Sequence, residues 1–335
     1  MSSGFNKTLQ FIVLIVISVA CQEAGKPSSQ KETEAAKQKE IVIPSFNADS
    51  AYLFVEKQLS FGPRVPNTKA HSACAAYLEK TLNRFHAEVI VQDFKTRAYN
   101  GKVLNAKNII ASFEPEKKSR VILCAHWDSR PYADQDPDPD NHRKPILGAN
   151  DGASGVGVLL EIARQLKNCK PRVGIDIILF DVEDYGPPTD TQQQDETDYW
   201  GLGSQYWARN THRINYRANY AILLDMVGVP NPSFLMEGFS MHFAPDKVKK
   251  VWDVAEEIGY GDYFLREIGG YITDDHYYIN RYRKIPAINI IHLDPESVNG
   301  SFFQHWHTLG DDLGSIDKES LLIVGNTVLA VIFRE

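Results

Sequence analysis

The chain of 335 residues reads as an α/β three-layer sandwich, with a central mixed, mainly parallel sheet flanked by helices. Three observations lead there. Segments with strand character alternate with segments of helical apolar spacing, the order of a sheet covered on both sides. The middle strands are apolar on both faces, as buried parallel strands are. The residues capable of chemistry fall at the carboxyl ends of those strands, the edge where such sheets hold ligands.

In chain order, "SAYLFVEKQLSFG" and "TKAHSACAAYLEKTLNRF" have helical spacing, separated by the breaker "GPRVPN". "AEVIVQDF" and "AKNIIASF" alternate as strands, and "RVILCAHWDS" (120–129) is the next strand. "GASGVGVLLEIARQL" (152–166) predicts a helix opening after glycines, and "IDIILFDVEDYG" (175–186) a buried strand ending in Asp181, Glu183 and Asp184. "SQYWARNT" follows as a short helix, then the strands "NYAILLDMVG" (219–228) and "PAINIIHL" (286–293). "PDKVKKVWDVAEEIG" and "KESLLIVGNTVLAVIF" complete the helices, and residues 45–335 form one expected catalytic domain.

Ahead of it, Lys7 and the apolar run Phe11–Ala20 form an export signal, residues 1–20, too short to span a bilayer. Cys21 follows directly, then a polar segment to residue 44 with no core pattern, as in a tether. The expectation is an exported periplasmic protein held to a membrane by a lipid on Cys21; a plain secretory signal is the alternative. The remaining cysteines, Cys74, Cys124 and Cys169, are odd in number and include no CxxC pair, so neither a disulfide framework nor a cysteine zinc site is indicated. A formal charge of −7 without a basic stripe excludes a nucleic-acid surface. A monomer is expected.

Strand ends and their loops supply His126 and Asp128 in "CAHWDS", Asp151 in "GANDGASG", Asp225 in "ILLDMVG", and Asp274, Asp275 and His276 in "YITDDHYY". "FFQHWHTLGDD" adds His305, His307, Asp311 and Asp312. Singly these fit ordinary roles: Asp151 as a helix cap, Asp225 as a turn residue, His307 as a loop histidine, Trp200 and Trp306 as packing. "DQDPDPDN" (134–141) lacks the glycine and glutamate of a calcium loop and reads as a solvated loop. Together, so many carboxylates on one sheet edge require a cation. Aspartate oxygens with imidazole and no thiolate suit zinc in an open, catalytic site.

The ordered series "HWDS", "NDGASG", "VED", "LLDMVG", "TDDH" and "WHT" resembles the zinc aminopeptidase superfamily, and within it the animal-type glutaminyl cyclases and their bacterial relatives. The resemblance implies one zinc per chain on Asp151, Asp184 and His307, with Glu183 as proton shuttle and Asp225 and Asp274 as hydrogen-bonding carboxylates. It also implies a substrate pocket walled by Trp200, Trp306 and Ile272. Asp184 departs from the animal cyclases, which have glutamate there. The expected reaction is cyclisation of the N-terminal glutamine of peptides and proteins to pyroglutamate, with release of ammonia. A two-zinc aminopeptidase using His126 and Asp225 is the alternative on this scaffold, and a non-catalytic binding module a third.

Overall fold

The computed structural model describes residues 42–192 and 196–335. The expected export signal and almost all of the tether lie outside them. Eight strands are present among these residues: β1 Glu88–Arg97, β2 Val103–Phe113, β3 Arg120–His126, β4 Gly174–Phe180, β5 Tyr220–Asp225, β6 Phe234–Met236, β7 Phe264–Ile268 and β8 Ala287–Ile291. Six form one sheet in the order β1-β2-β4-β3-β5-β8, while β6 and β7 pair in a small second sheet. The pairs β1/β2 and β2/β4 are antiparallel, and β4/β3, β3/β5 and β5/β8 are parallel. The sheet is mixed and mainly parallel, as expected.

Register aligns the working edge. His126 lies opposite Phe180 and Asp225 opposite Ile291, so β3, β4, β5 and β8 end together. Alternate residues serve opposite layers, because successive side chains of a strand point to opposite faces. Val121, Leu123, Ile175, Ile177, Ile222 and Leu224 join one core with helices α1 (Ala48–Leu59), α2 (Lys69–Arg84) and α3 (Gly155–Leu166). Ile122, Cys124, Ile178, Phe180 and Leu223 pack with Trp207 and Ala208 of α4 (Leu202–Arg209) on the other. Each large apolar side chain fully buried in these layers contributes about 1.5–3 kcal/mol. Cys124, on β3, is fully buried.

Helix starts follow local chemistry. Asn47 accepts from the Ser50 N–H ahead of α1, and Thr68 from the His71 N–H ahead of α2. Two short helices, α5 (Gly238–Phe243) and α7 (Asp275–Tyr278), flank α6 (Pro245–Glu257), and α8 (Lys318–Phe333) closes the chain. The helix expected from residue 152 begins instead at Gly155. Residues 149–154 make an irregular turn, because Asp151 (φ −81°, ψ 93°) and Gly152 (φ 96°, ψ −54°) leave helical backbone. Asp151 therefore caps no helix; its side chain is turned toward His126.

Candidate active site

Loops beyond the sheet edge carry the chemistry. In the first turn, Gly152 is required: a Cβ there would lie 2.7 Å from His126 Cε1, and its positive φ suits no other residue well. The Asp311 carboxylate accepts from the N–H groups of Asn150 (2.7 Å) and Asp151 (3.0 Å), fixing that turn from the C-terminal loop. After β4, Asp181 pairs with His71 (2.9 Å) and accepts from the Lys107 N–H, anchoring the bend that follows. Asp128 accepts from the N–H groups of both Glu183 (3.1 Å) and Asp184 (3.3 Å). Asp274 has both carboxylate oxygens bonded, one by the Asp275 N–H and the other by Asn289.

Three non-glycine residues of these loops hold left-handed backbone: Val182 (φ 55°), Met226 (φ 48°) and His307 (φ 54°). Each costs about 1–3 kcal/mol and persists only where the surroundings enforce it. Val182 precedes Glu183, Met226 follows Asp225, and His307 is itself a predicted ligand. Strain is thus stored beside the reactive groups.

All nine residues expected in the site meet. Asp151, Glu183, Asp184, Trp200, Asp225, Ile272, Asp274, Trp306 and His307 line one recess of about 70 Å³, joined by Met226, Thr273, Ile291 and Phe302. His307 Nε2 lies 3.3 Å from Asp184 Oδ1 and 3.6 Å from Asp151 Oδ2. These three residues each offer a ligand atom within 4.8 Å of the others. Asp184 Oδ2 is buried with no hydrogen-bond partner. Three donors of this kind, with an orphaned carboxylate oxygen and a recess alongside, fit a zinc ion with an open position. The ring of Trp306 stacks on His307 at 3.8 Å between centroids, and Trp200 faces it at 6.3 Å with an interplanar angle of 11°.

A second group is His126, Asp151 and Asp225, with His126 Nε2 at 3.0 Å from Asp151 and 3.3 Å from Asp225. His126 is buried and does not line the recess. Burial works against its charge, yet Asp128, Asp151 and Asp225 outweigh that and raise its pKa well above the ordinary value.

Burial pushes the carboxyls of Glu183, Asp184 and Asp274 upward and Asp225 to about 7, with neighbouring carboxylates adding to the effect on Glu183 and Asp225. Asp151 runs the other way, because His126 and His307 overcome its burial. Acids crowded so closely resist ionising until a cation joins them.

Several candidates sit elsewhere. His276 bonds Glu237 at 2.8 Å, His305 and Asp312 line a neighbouring groove of about 570 Å³, and Asp275 is buried without lining the recess. The 134–141 loop is not simply solvated: Asp134 and Asp136 are both only 9% exposed. Asp136 accepts from Asn141 and from the Leu309 N–H, so its carboxylate grips the loop that carries His307. Sequence reasoning missed this, and also missed Phe302, whose only local signal was its place among the aromatics of "FFQHWHT".

This scaffold and donor set define a metallohydrolase-like enzyme of the zinc exopeptidase fold. Residues 108–332 match peptidase family M28, and the chain belongs to that family. The structure is similar to Bacteroides thetaiotaomicron glutaminyl cyclase bound to N-acetylhistamine, with a TM-score of 0.86 and 53% identity, covering 88% of this chain and 100% of that one. A structure described as a leucine aminopeptidase precursor, from the same organism, is similar with a TM-score of 0.85 and 52% identity, covering 88% and 100%. A glutaminyl-peptide cyclotransferase of Drosophila melanogaster is 26% identical over 282 residues, 76% of this chain and 72% of its own length. The resemblance read from the motifs therefore holds.

Proposed function

We propose that the protein is a zinc-dependent glutaminyl cyclase, converting N-terminal glutamine of peptides and proteins to pyroglutamate. The observation that carries this reading is the meeting of three non-ligand carboxylates, Glu183, Asp225 and Asp274, with the Asp151, Asp184 and His307 group around one small, aromatic-walled recess.

A zinc ion on that group supplies Lewis-acid polarisation of the substrate's side-chain carbonyl. The residues of the chain do the rest. Trp200, Trp306 and Ile272 hold the flat carboxamide and exclude water. Glu183 accepts a proton from the α-amine as its nitrogen bonds to the side-chain carbonyl carbon, Cδ. When the bond from that carbon to the amide nitrogen breaks, Glu183 returns the proton and ammonia leaves. Burial raises the proton affinity of this carboxyl, so it takes up the amine's proton more readily than an exposed glutamate would. Asp225 and Asp274 hold the departing nitrogen by hydrogen bonds. The attack is intramolecular, so the pocket need only freeze one conformer.

A two-zinc aminopeptidase is favoured by one observation, the His126–Asp151–Asp225 group. Against it, His126 is buried among three carboxylates and off the lining of the recess, and a second cation there would withdraw Asp225 from the substrate. A non-catalytic module gains nothing from strained backbone beside buried acids.

Offered a peptide beginning with glutamine, the purified protein should release ammonia and leave a blocked N-terminus with every peptide bond intact. A leucine-first peptide leaves the site's polar groups unpaired, a mismatch that discriminates by about 10⁴ or more. Free leucine released at a comparable rate overturns the cyclase in favour of the aminopeptidase.

Export and anchoring belong to the same reading, supported by the apolar run ending at Ala20, the cysteine after it and the polar segment that follows. No helix among the described residues is long and apolar enough to cross a membrane. Cys21→Ser should move the exported protein from the membrane pellet to the soluble fraction. A variant that still pellets with membranes contradicts the lipid anchor.

A further inference from the structure

We propose that Asp134 is the positioning residue of the metal site: it orients the His307 imidazole and ties that orientation to the 187–190 segment and the Trp200 wall. This rests on the reading of His307 as a metal ligand.

Asp134 sits where three parts of the chain converge: its own loop, Thr189 and His307. Arg130, itself 1% exposed, grips its carboxylate with both prongs of the guanidinium, Nε to Oδ1 at 2.7 Å and Nη2 to Oδ2 at 2.8 Å. Such a fork holds a carboxylate in plane as well as neutralising it. Oδ2 also accepts from the Thr189 N–H (2.9 Å) and the Thr189 hydroxyl (3.0 Å). With Oδ2 so occupied, Oδ1 is left facing His307 Nδ1, at 3.5 Å. The neighbouring Gln135 N–H donates to the His307 carbonyl at 3.1 Å, so the same loop holds the histidine by ring and by backbone.

Two consequences follow from that placement. A carboxylate at Nδ1 keeps the proton there and leaves Nε2, the nitrogen facing Asp151 and Asp184, free as a ligand; the outer partner of a ligating histidine sets its tautomer and ring orientation. Arg130 meanwhile carries the link onward. Its Nη1 donates to Asp184 Oδ1 (3.2 Å) and to the Asp184 carbonyl (3.3 Å), and its guanidinium lies 4.9 Å from the Trp200 ring. One buried pair thereby braces two ligands and one pocket wall. The segment after the acidic pair gains a role as well, because Thr189 closes the carboxylate's second oxygen.

The test is the zinc affinity of the purified full chain, measured by competition with a chromophoric chelator. A parent protein that binds no zinc would refute the ligand reading of His307 itself, a failure distinct from that of the present inference. With a zinc-binding parent, Asp134→Asn should weaken binding by about tenfold or more, the usual effect of losing an outer partner, while circular dichroism of the metal-free protein stays unchanged. Zinc bound as tightly as by the parent overturns the inference. Should that variant fail to fold, Thr189→Val decides instead: it removes one hydrogen bond from the same carboxylate at an exposed position, and about threefold weaker binding is expected. An unchanged affinity there overturns the inference too.

Discussion

Glu183→Gln should abolish turnover and leave zinc bound. The substitution keeps the volume and the backbone bond to Asp128, and removes only a group that can take and return a proton. General acid–base catalysis contributes about 10²–10⁴ in rate, so a kcat lower by that factor is expected. Asp184→Ala, one residue further on, should behave differently. It deletes a carboxylate whose Oδ1 faces His307 Nε2 at 3.3 Å, and the protein should lose metal together with activity. Elemental analysis of the two purified variants checks the division. Equal zinc in both would show that these adjacent acids have been given the wrong roles.

Zinc removal should silence the enzyme, and restoring one equivalent per chain should return its full activity. The expectation comes from the two clusters that share Asp151. Only the Asp151, Asp184 and His307 group borders the recess with all of its members, whereas His126 is buried and does not line it. Activity titrated against added zinc should therefore plateau at one equivalent. A plateau at two would assign His126 and Asp225 to a second ion and replace the cyclase with the peptidase.

The strands β3, β4 and β5 were legible because both their faces are covered, and a buried sheet is the ordinary setting for an apolar run that ends in acids. Of the nine residues that line the recess, Glu183, Asp184 and Asp225 were legible for a related reason, lying at or just beyond the ends of β4 and β5, while the other six sit in longer loops and were found through short local motifs. The small sheet of β6 and β7 and the four-residue helix α7 were not. They are too short to show a period, and tertiary contacts make them. The Asp134 pairing was invisible for a different reason. Nothing near "DQDPDPDN" marks a partner as distant along the chain as His307, and an acidic, proline-containing stretch is usually wetted on all sides. Asp181 with His71 is the same case, since a pair 110 residues apart leaves no trace in either neighbourhood.

The volume of the recess decides which proteins such an enzyme can modify. About 70 Å³ is space for some two water molecules, or for the carboxamide of one side chain. Everything after the first residue of a substrate must then remain outside, against whatever the rim presents. On the cyclase reading, susceptibility becomes a property of presentation: a target is expected to qualify by offering a loose, exposed end rather than a glutamine folded into its own protein's surface.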